Sequence, residues 1–166
     1  MKPAIFFDRD GVLNIEKGYV FKISDFEWVL DAPQAIKLFN ENNYHTFVVT
    51  NQSGIGRGIY SEKDVENLHK YMNDELSKIS ARIDDFFYSP YHPEGINKNY
   101  DHLSHLRKPS TGMLELAFQK WEIIKEESFM IGDNSTDIEC AEMYGIKGHL
   151  FKEKSLLEFV KKVIKL

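Results

Sequence analysis

Four short segments of the 166-residue chain carry side chains able to do phosphoryl chemistry: Asp8-Arg9-Asp10, Thr50-Asn51, Arg107-Lys108 and Asp133-Asn134. Together their carboxylates, hydroxyl, amide and cations supply a nucleophile, a proton donor, a seat for a metal and donors for the equatorial oxygens of a phosphoryl group. A carboxylate such as Asp8 that attacks a phosphate dianion meets repulsion, which a divalent cation and a fixed positive charge at the same spot relieve. Asp8 and Asp133 offer the oxygen ligands that suit Mg²⁺. Asp10, followed by Gly11, can point back over Asp8 if the chain turns sharply, where it would protonate a leaving alcohol and then activate water. Lys108 would balance the charge of nucleophile and phosphoryl group, and the Thr50 hydroxyl would bond one phosphoryl oxygen. Singly, each residue has an ordinary reading: an Asp or Thr after a strand often caps a turn, and a lysine is usually solvated. Their joint occurrence, in this order, points to a site.

Convergence needs elements that bring the segments to one place. Ala4 to Phe7 is a short apolar run ending at Asp8, as a strand covered on both faces would. Residues 32–42 repeat apolar positions at helical spacing behind Pro33 and close at Asn42-Asn43. His45 to Val49 forms the next strand, running into the polar loop Thr50 to Gly54. From Ser61, Ser-x-x-Asp resembles a capping box, and Val65, Leu68, Met72 and Leu76 mark a helical face that ends near Ser80. Further strands are expected at residues 83–88, 129–131 and 147–151. Helices are expected at 111–120, with Pro109 setting the first turn, and at 137–144 and 156–164. Such alternation implies a three-layer α/β fold, a Rossmann-like parallel sheet with helices on both faces, in one domain spanning 1–166. Ligands of such sheets sit beyond the carboxyl ends of the strands, where three of the four segments fall and the fourth precedes a helix.

Composition sets limits. Hydrophobic residues at 42% and charged residues at 28% suit a globular chain, and a net charge of −5 disfavours a surface built for nucleic acid. The only cysteine, Cys140, excludes an internal disulfide and reads as a buried helix residue. No signal segment and no run of 18 apolar residues is visible, so no membrane span and a cytoplasmic location are expected.

The segments resemble the four motifs of the haloacid dehalogenase superfamily over residues 4–148: Phe7 to Asn14, Thr50-Asn51-Gln52, Arg107-Lys108-Pro109 and Gly132-Asp133. Gly18-Tyr19-Val20, Thr50 to Gly58 and His92-Pro93-Glu94-Gly95 are most similar to its heptose-bisphosphate phosphatases, with histidinol-phosphate phosphatases next; Ser53 stands where the latter usually carry Asp. The resemblance implies a Mg²⁺-dependent phosphatase of a small phosphorylated metabolite, with Asp8 as nucleophile and metal ligand, Asp10 as acid/base and Thr50 and Lys108 as phosphoryl stabilisers. Asp133 and the Asp10 backbone carbonyl would complete the metal shell. Substrate recognition would fall to Glu16, Lys17, Gly18, Tyr19, Asn51, Gln52, Ser53 and Arg107, with Arg57 and His92 in specificity loops; Asn134 stands where many relatives have Lys. The segment from Asn14 to Ala32 is too short for a large cap domain, and a monomer is expected.

One departure concerns zinc. The family usually places a structural zinc before the third motif, on Cys-x-His and Cys-x-Cys. Here those positions read Ser89, Tyr91, Ser104 and Leu106, a set without soft ligands, so structural zinc is expected to be absent. His92, His102 and His105 lie nearby without a thiolate or ligand-like spacing, so packing by Tyr88, Tyr91 and Tyr100 would have to order the loop. Two non-enzymatic readings stay open: a receiver-like module, which pairs adjacent acids at its first strand and accepts phosphate at a later one, and a degenerate binder that retains the motifs without turnover.

Overall fold

In the computed structural model, which describes residues 1–166, five strands form one parallel sheet in the order β3-β2-β1-β4-β5. They are β1 (Ala4–Phe7), β2 (His45–Asn51), β3 (Asp85–Ser89), β4 (Phe129–Gly132) and β5 (Lys147–Leu150). The helices are α1 (Ala32–Glu41), α2 (Glu62–Ser77), α3 (Gly112–Lys120), α4 (Ser135–Tyr144) and α5 (Leu156–Val163). The chain runs outward from β1 to β3 on one side and then resumes at β4 on the other. The strand order therefore reverses at β1, the point where open α/β sheets bind ligands.

Alternation along the strands divides the core. Ile5, Phe7, Val48 and Ile131 face α1, α2 and α5, meeting Ile36, Phe39, Met72, Leu76 and Leu156. Ala4, Phe6, Phe47, Val49 and Met130 face α3 and α4, meeting Met113, Leu114, Ala117 and Cys140. All four residues of β1 are buried, as a central strand sandwiched by helices requires. Burying each of its two phenylalanines stabilises the fold by about 1.5–3 kcal/mol, which makes β1 a rigid base for the residues that follow.

Local signals act as expected at several ends. Ser61 Oγ accepts from Asp64 N at 3.1 Å while Asp64 Oδ2 accepts from Ser61 N at 2.9 Å, completing the capping box of α2. Other boundaries move. β2 runs on through Thr50 to Asn51, and β3 starts at Asp85 instead of Ile83. α4 begins at Ser135, two residues early, because Asp137 serves as an acceptor in its first turn. Pro109 lies outside α3: the Lys108-Pro109 peptide is cis and the helix begins at Gly112.

Between β1 and α1 the chain adds only a 3-10 turn at Ile23–Asp25, so no cap domain covers the sheet ends. The segment after β3, read as loop, contains a 3-10 stretch at Lys98–Leu106. No helix is long and apolar enough to cross a membrane.

Candidate active site

Asp8 leaves β1 with its backbone still in the sheet, its N–H donating to Ile131 O at 3.0 Å. Its Oδ1 accepts from Arg9 N and from Lys108 Nζ, each at 2.9 Å. Lys108 arrives from 100 positions along the chain, and Asn51 holds its backbone, accepting from Lys108 N at 3.0 Å and donating to Lys108 O at 3.2 Å. The ammonium then donates to Asp8 Oδ1, to Asp137 Oδ1 at 2.6 Å and to Val49 O at 2.8 Å. All three of its protons are engaged, so it acts on an incoming phosphoryl group through its charge.

Asp133 joins this cluster because Gly11 leaves room for it. Gly11 has φ +87°, and a Cβ there would lie 2.0 Å from Asp133 Oδ2. Gly11→Ala is expected to lower stability by about 1–3 kcal/mol through backbone strain, and to weaken metal binding about 10–100-fold by displacing Asp133. Denaturant unfolding and a Mg²⁺ titration of activity check both; an unchanged Mg²⁺ requirement would separate Asp133 from the metal.

The residue that the motif reading missed is Asp137. Its Oδ2 accepts from the backbone N–H groups of Asp133 and Asn134, both at 3.1 Å, while its Oδ1 holds Lys108. The spacing carried a usable signal: Asp137 lies four residues after Asp133, one helical turn on, and three after the N-cap Asn134. Carboxylate oxygens of Asp8, Asp133 and Asp137 lie within 4.8 Å of one another.

Burial pushes the Asp8 carboxyl well above the usual range; Lys108 opposes this, while Asp137 and Asp133 reinforce it. Burial also works against the charge on Lys108, but its attraction to Asp8 and then Asp137 outweighs that and holds its pKa above the ordinary value. Three carboxylates against one ammonium leave an excess of two negative charges, which a divalent cation would cancel. The all-oxygen donor set fits Mg²⁺.

Asp10 is held by three side chains. Arg9 Nη2 donates to both its oxygens at 3.1 and 3.2 Å, Asn14 Nδ2 to Oδ1 at 3.0 Å and Gln52 Nε2 to Oδ2 at 3.0 Å. Arg9 and Asn14 fall within the first motif but have no role assigned from the sequence, and both are fully buried. Gln52, read as a substrate contact, has its amide spent within the protein: it also donates to Thr50 Oγ1 at 2.9 Å and accepts from Tyr60 at 2.6 Å. Thr50 accepts that bond, which leaves its own proton to donate.

Two adjoining cavities open here. A 120 Å³ cavity without apolar lining lies among Asp8, Asp10, Lys108, Asn134, Thr136 and Asp137. That is about the volume of four liquid waters, room for a phosphoryl group and little more. A second, of 280 Å³, shares Asp10, Glu16 and Asn51 with the first and adds Gly18, Tyr19, Ser53 and Tyr60. Burial raises the Glu16 carboxyl between them, helped by Asp10 and opposed by the 2.7 Å bond from Gly18 N.

The remaining expected contacts divide between the cavities and their surroundings. Lys17 turns away to Glu27 at 2.9 Å and to Asp25 O at 3.3 Å, a departure from its expected place against substrate. Arg57 donates to the Tyr19 hydroxyl at 2.6 Å and so borders the larger cavity through that neighbour, whereas Arg107 donates to Tyr91 O at 3.4 Å and lines neither cavity. Asn134 lines the small cavity with its amide on Asp133 Oδ1 at 3.2 Å. Ser89, Tyr91, Ser104 and Leu106 do not fit a zinc site. Instead Glu62 on α2 accepts from Tyr88 at 2.8 Å and from Tyr100 at 3.2 Å, fastening both ends of the loop they flank.

Residues 3–160 match the family model described as Polynucleotide kinase 3 phosphatase. A Rhodopseudomonas palustris protein named D-glycero-beta-D-manno-heptose-1,7-bisphosphate 7-phosphatase is 40% identical, over 98% of this chain and 91% of that one. A Photorhabdus laumondii protein, named for the alpha anomer of the same bisphosphate, is 38% identical over 85% and 77% of the two chains. Among solved structures, a HAD-like phosphatase from Mesorhizobium loti aligns with TM-score 0.83 and 28% identity, covering 89% of this chain and 71% of that one. The D,D-heptose 1,7-bisphosphate phosphatase from B. bronchiseptica, solved with magnesium and phosphate, has the same fold, with TM-score 0.83, 21% identity and 97% coverage of both chains.

Proposed function

The chain belongs to the haloacid dehalogenase superfamily of phosphatases, and on that premise we propose that it removes the 7-phosphate of a D-glycero-D-manno-heptose 1,7-bisphosphate by way of an Asp8 aspartyl phosphate. The observation that carries the mechanism is the Lys108 ammonium shared by Asp8 and Asp137 at the open end of β1, with Asp133 completing a cluster sized for one cation.

Mg²⁺ held by Asp8, Asp133 and Asp137, with the Asp10 carbonyl, would supply the positive charge that lets a carboxylate approach a phosphate dianion. A carboxylate oxygen of Asp8 forms a bond to phosphorus as the bond to the sugar oxygen breaks. Asp10 gives its proton to that leaving oxygen, then takes one from the water that attacks the acyl phosphate, releasing inorganic phosphate and restoring Asp8. Lys108 steadies charge on Asp8 and on the transferring group, and the Thr50 hydroxyl donates to a phosphoryl oxygen. The sugar occupies the larger cavity between Glu16, Tyr19 and Ser53.

The relatives' names support the substrate class. Polynucleotide ends are a poorer fit, because the net charge of −5 would oppose a phosphate backbone. Phosphate release with Mg²⁺ should favour the heptose bisphosphate over histidinol phosphate and simple sugar monophosphates by at least about tenfold in kcat/KM, a difference worth about 1.4 kcal/mol. Equal turnover, or a preference for histidinol phosphate, would reassign the substrate; saturable binding without release would make the chain a binder.

A further inference from the structure

Resting on the role of Asp10 as acid/base, we propose that His69 of α2 is a positioning residue for that reaction, acting through the buried guanidinium of Arg9 on the orientation of Asp10.

Arg9 is wholly buried, with none of its surface exposed. A guanidinium out of water must find partners for its charge and its protons, and the partners here are few. Nη2 grips both Asp10 oxygens and the Val20 carbonyl, the last at 2.6 Å. Nη1 has the His69 Nε2 partner at 3.3 Å, and Nε has none. His69 is therefore the only side-chain acceptor that locates the far side of the fork. Because the guanidinium is planar and rigid, fixing Nη1 fixes the direction in which Nη2 meets Asp10.

The imidazole is itself held in place. Its ring stacks on Phe86 of β3 at 4.3 Å and 13°, with the Tyr88 ring edge-on at 6.3 Å. Burial, and then Arg9, lower its pKa well below the usual value, which keeps it neutral and leaves Nε2 able to accept. A rigid chain of contacts thus runs from β3 through His69 and Arg9 to Asp10, although His69 touches neither cavity of the active site.

His69 should influence proton delivery more than phosphate binding, so the leaving group separates this role from a merely structural one. An alkyl phosphate needs a proton on its departing oxygen; an aryl phosphate such as p-nitrophenyl phosphate departs without one. His69→Phe keeps a ring on Phe86 and removes the acceptor, whereas His69→Gln keeps an acceptor. With Mg²⁺ present, kcat/KM of His69→Phe for the sugar phosphate should fall about tenfold, a fraction of the roughly 10²–10⁴-fold ascribed to a positioned acid, because the acid stays in place and loses only its alignment. Its kcat/KM for p-nitrophenyl phosphate should change less than twofold, and His69→Gln should recover most of the loss. Arg9→Lys, which loses the planar fork joining His69 to Asp10, should cost the sugar phosphate at least as much and more than it costs p-nitrophenyl phosphate, and in the double variant the losses should not add. It also keeps the test available if His69→Phe does not fold. Equal losses on both substrates, or no loss on either, would overturn the positioning role. Asp10→Asn serves as the reference: if it spares alkyl turnover, the acid/base assignment itself fails; if it abolishes that turnover while His69→Phe is silent, only His69 is dismissed.

Discussion

Asp8→Asn should eliminate turnover, by at least about four orders of magnitude in kcat, without loss of the fold. Losses of this size accompany removal of a covalent nucleophile, and an amide in place of the carboxylate cannot form and release an acyl phosphate in the same way. The fold should tolerate the change because the charge on Asp8 is poorly accommodated: burial and the neighbouring acids raise its pKa despite Lys108. A carboxyl with a raised folded-state pKa favours the folded state most when protonated. That contribution is fully present below the unfolded value of about 4 and is lost as pH climbs through the raised folded value. Without Mg²⁺, the wild-type protein should therefore lose stability over that rise, and Asp8→Asn should remove this part of the pH dependence. Phosphate release together with thermal unfolding at several pH values checks both halves. Near-normal activity in the variant would exclude the covalent route.

Lys108→Met should be the most damaging single change to stability in the site. The methionine side chain is close in length, but the variant leaves Asp8 and Asp137 buried together without the ammonium between them. Removing one partner of a buried ion pair typically costs about 3–5 kcal/mol. Activity should fall by about 10²–10³, the usual effect of losing one fixed electrostatic stabiliser of a transition state. Adding Asp137→Asn should recover part of the stability, since it removes one of the stranded charges, but should leave activity low. Denaturant unfolding and kcat on the same preparations separate these effects. A loss under about 1 kcal/mol would mean that the two carboxylates find other partners.

The sequence by itself determined the parallel sheet and which motif residues gather at its carboxyl edge. Apolar runs as short as Ala4 to Phe7 can be stable only when covered on both faces, and the polar residues that follow such runs must gather at one edge. Asp8, Asp10, Thr50, Lys108 and Asp133 were legible because their side-chain types fit one reaction and each lies at or near the end of an apolar run or ahead of a helix. Only the tertiary structure decided what those residues lean on. Arg9 and His69 are 60 positions apart, and nothing in local periodicity says that a buried guanidinium needs that imidazole. Lys17 and Arg57 carry charge suited to substrate, but whether an exposed lysine turns to a cavity or to Glu27 depends on the path of the loop. Asp137 lay between the two cases: helical spacing put it near Asp133, while its bond to Lys108 required a residue from another strand connection to arrive beside it. Local sequence specifies which groups can react; packing over long separations specifies which groups hold them still.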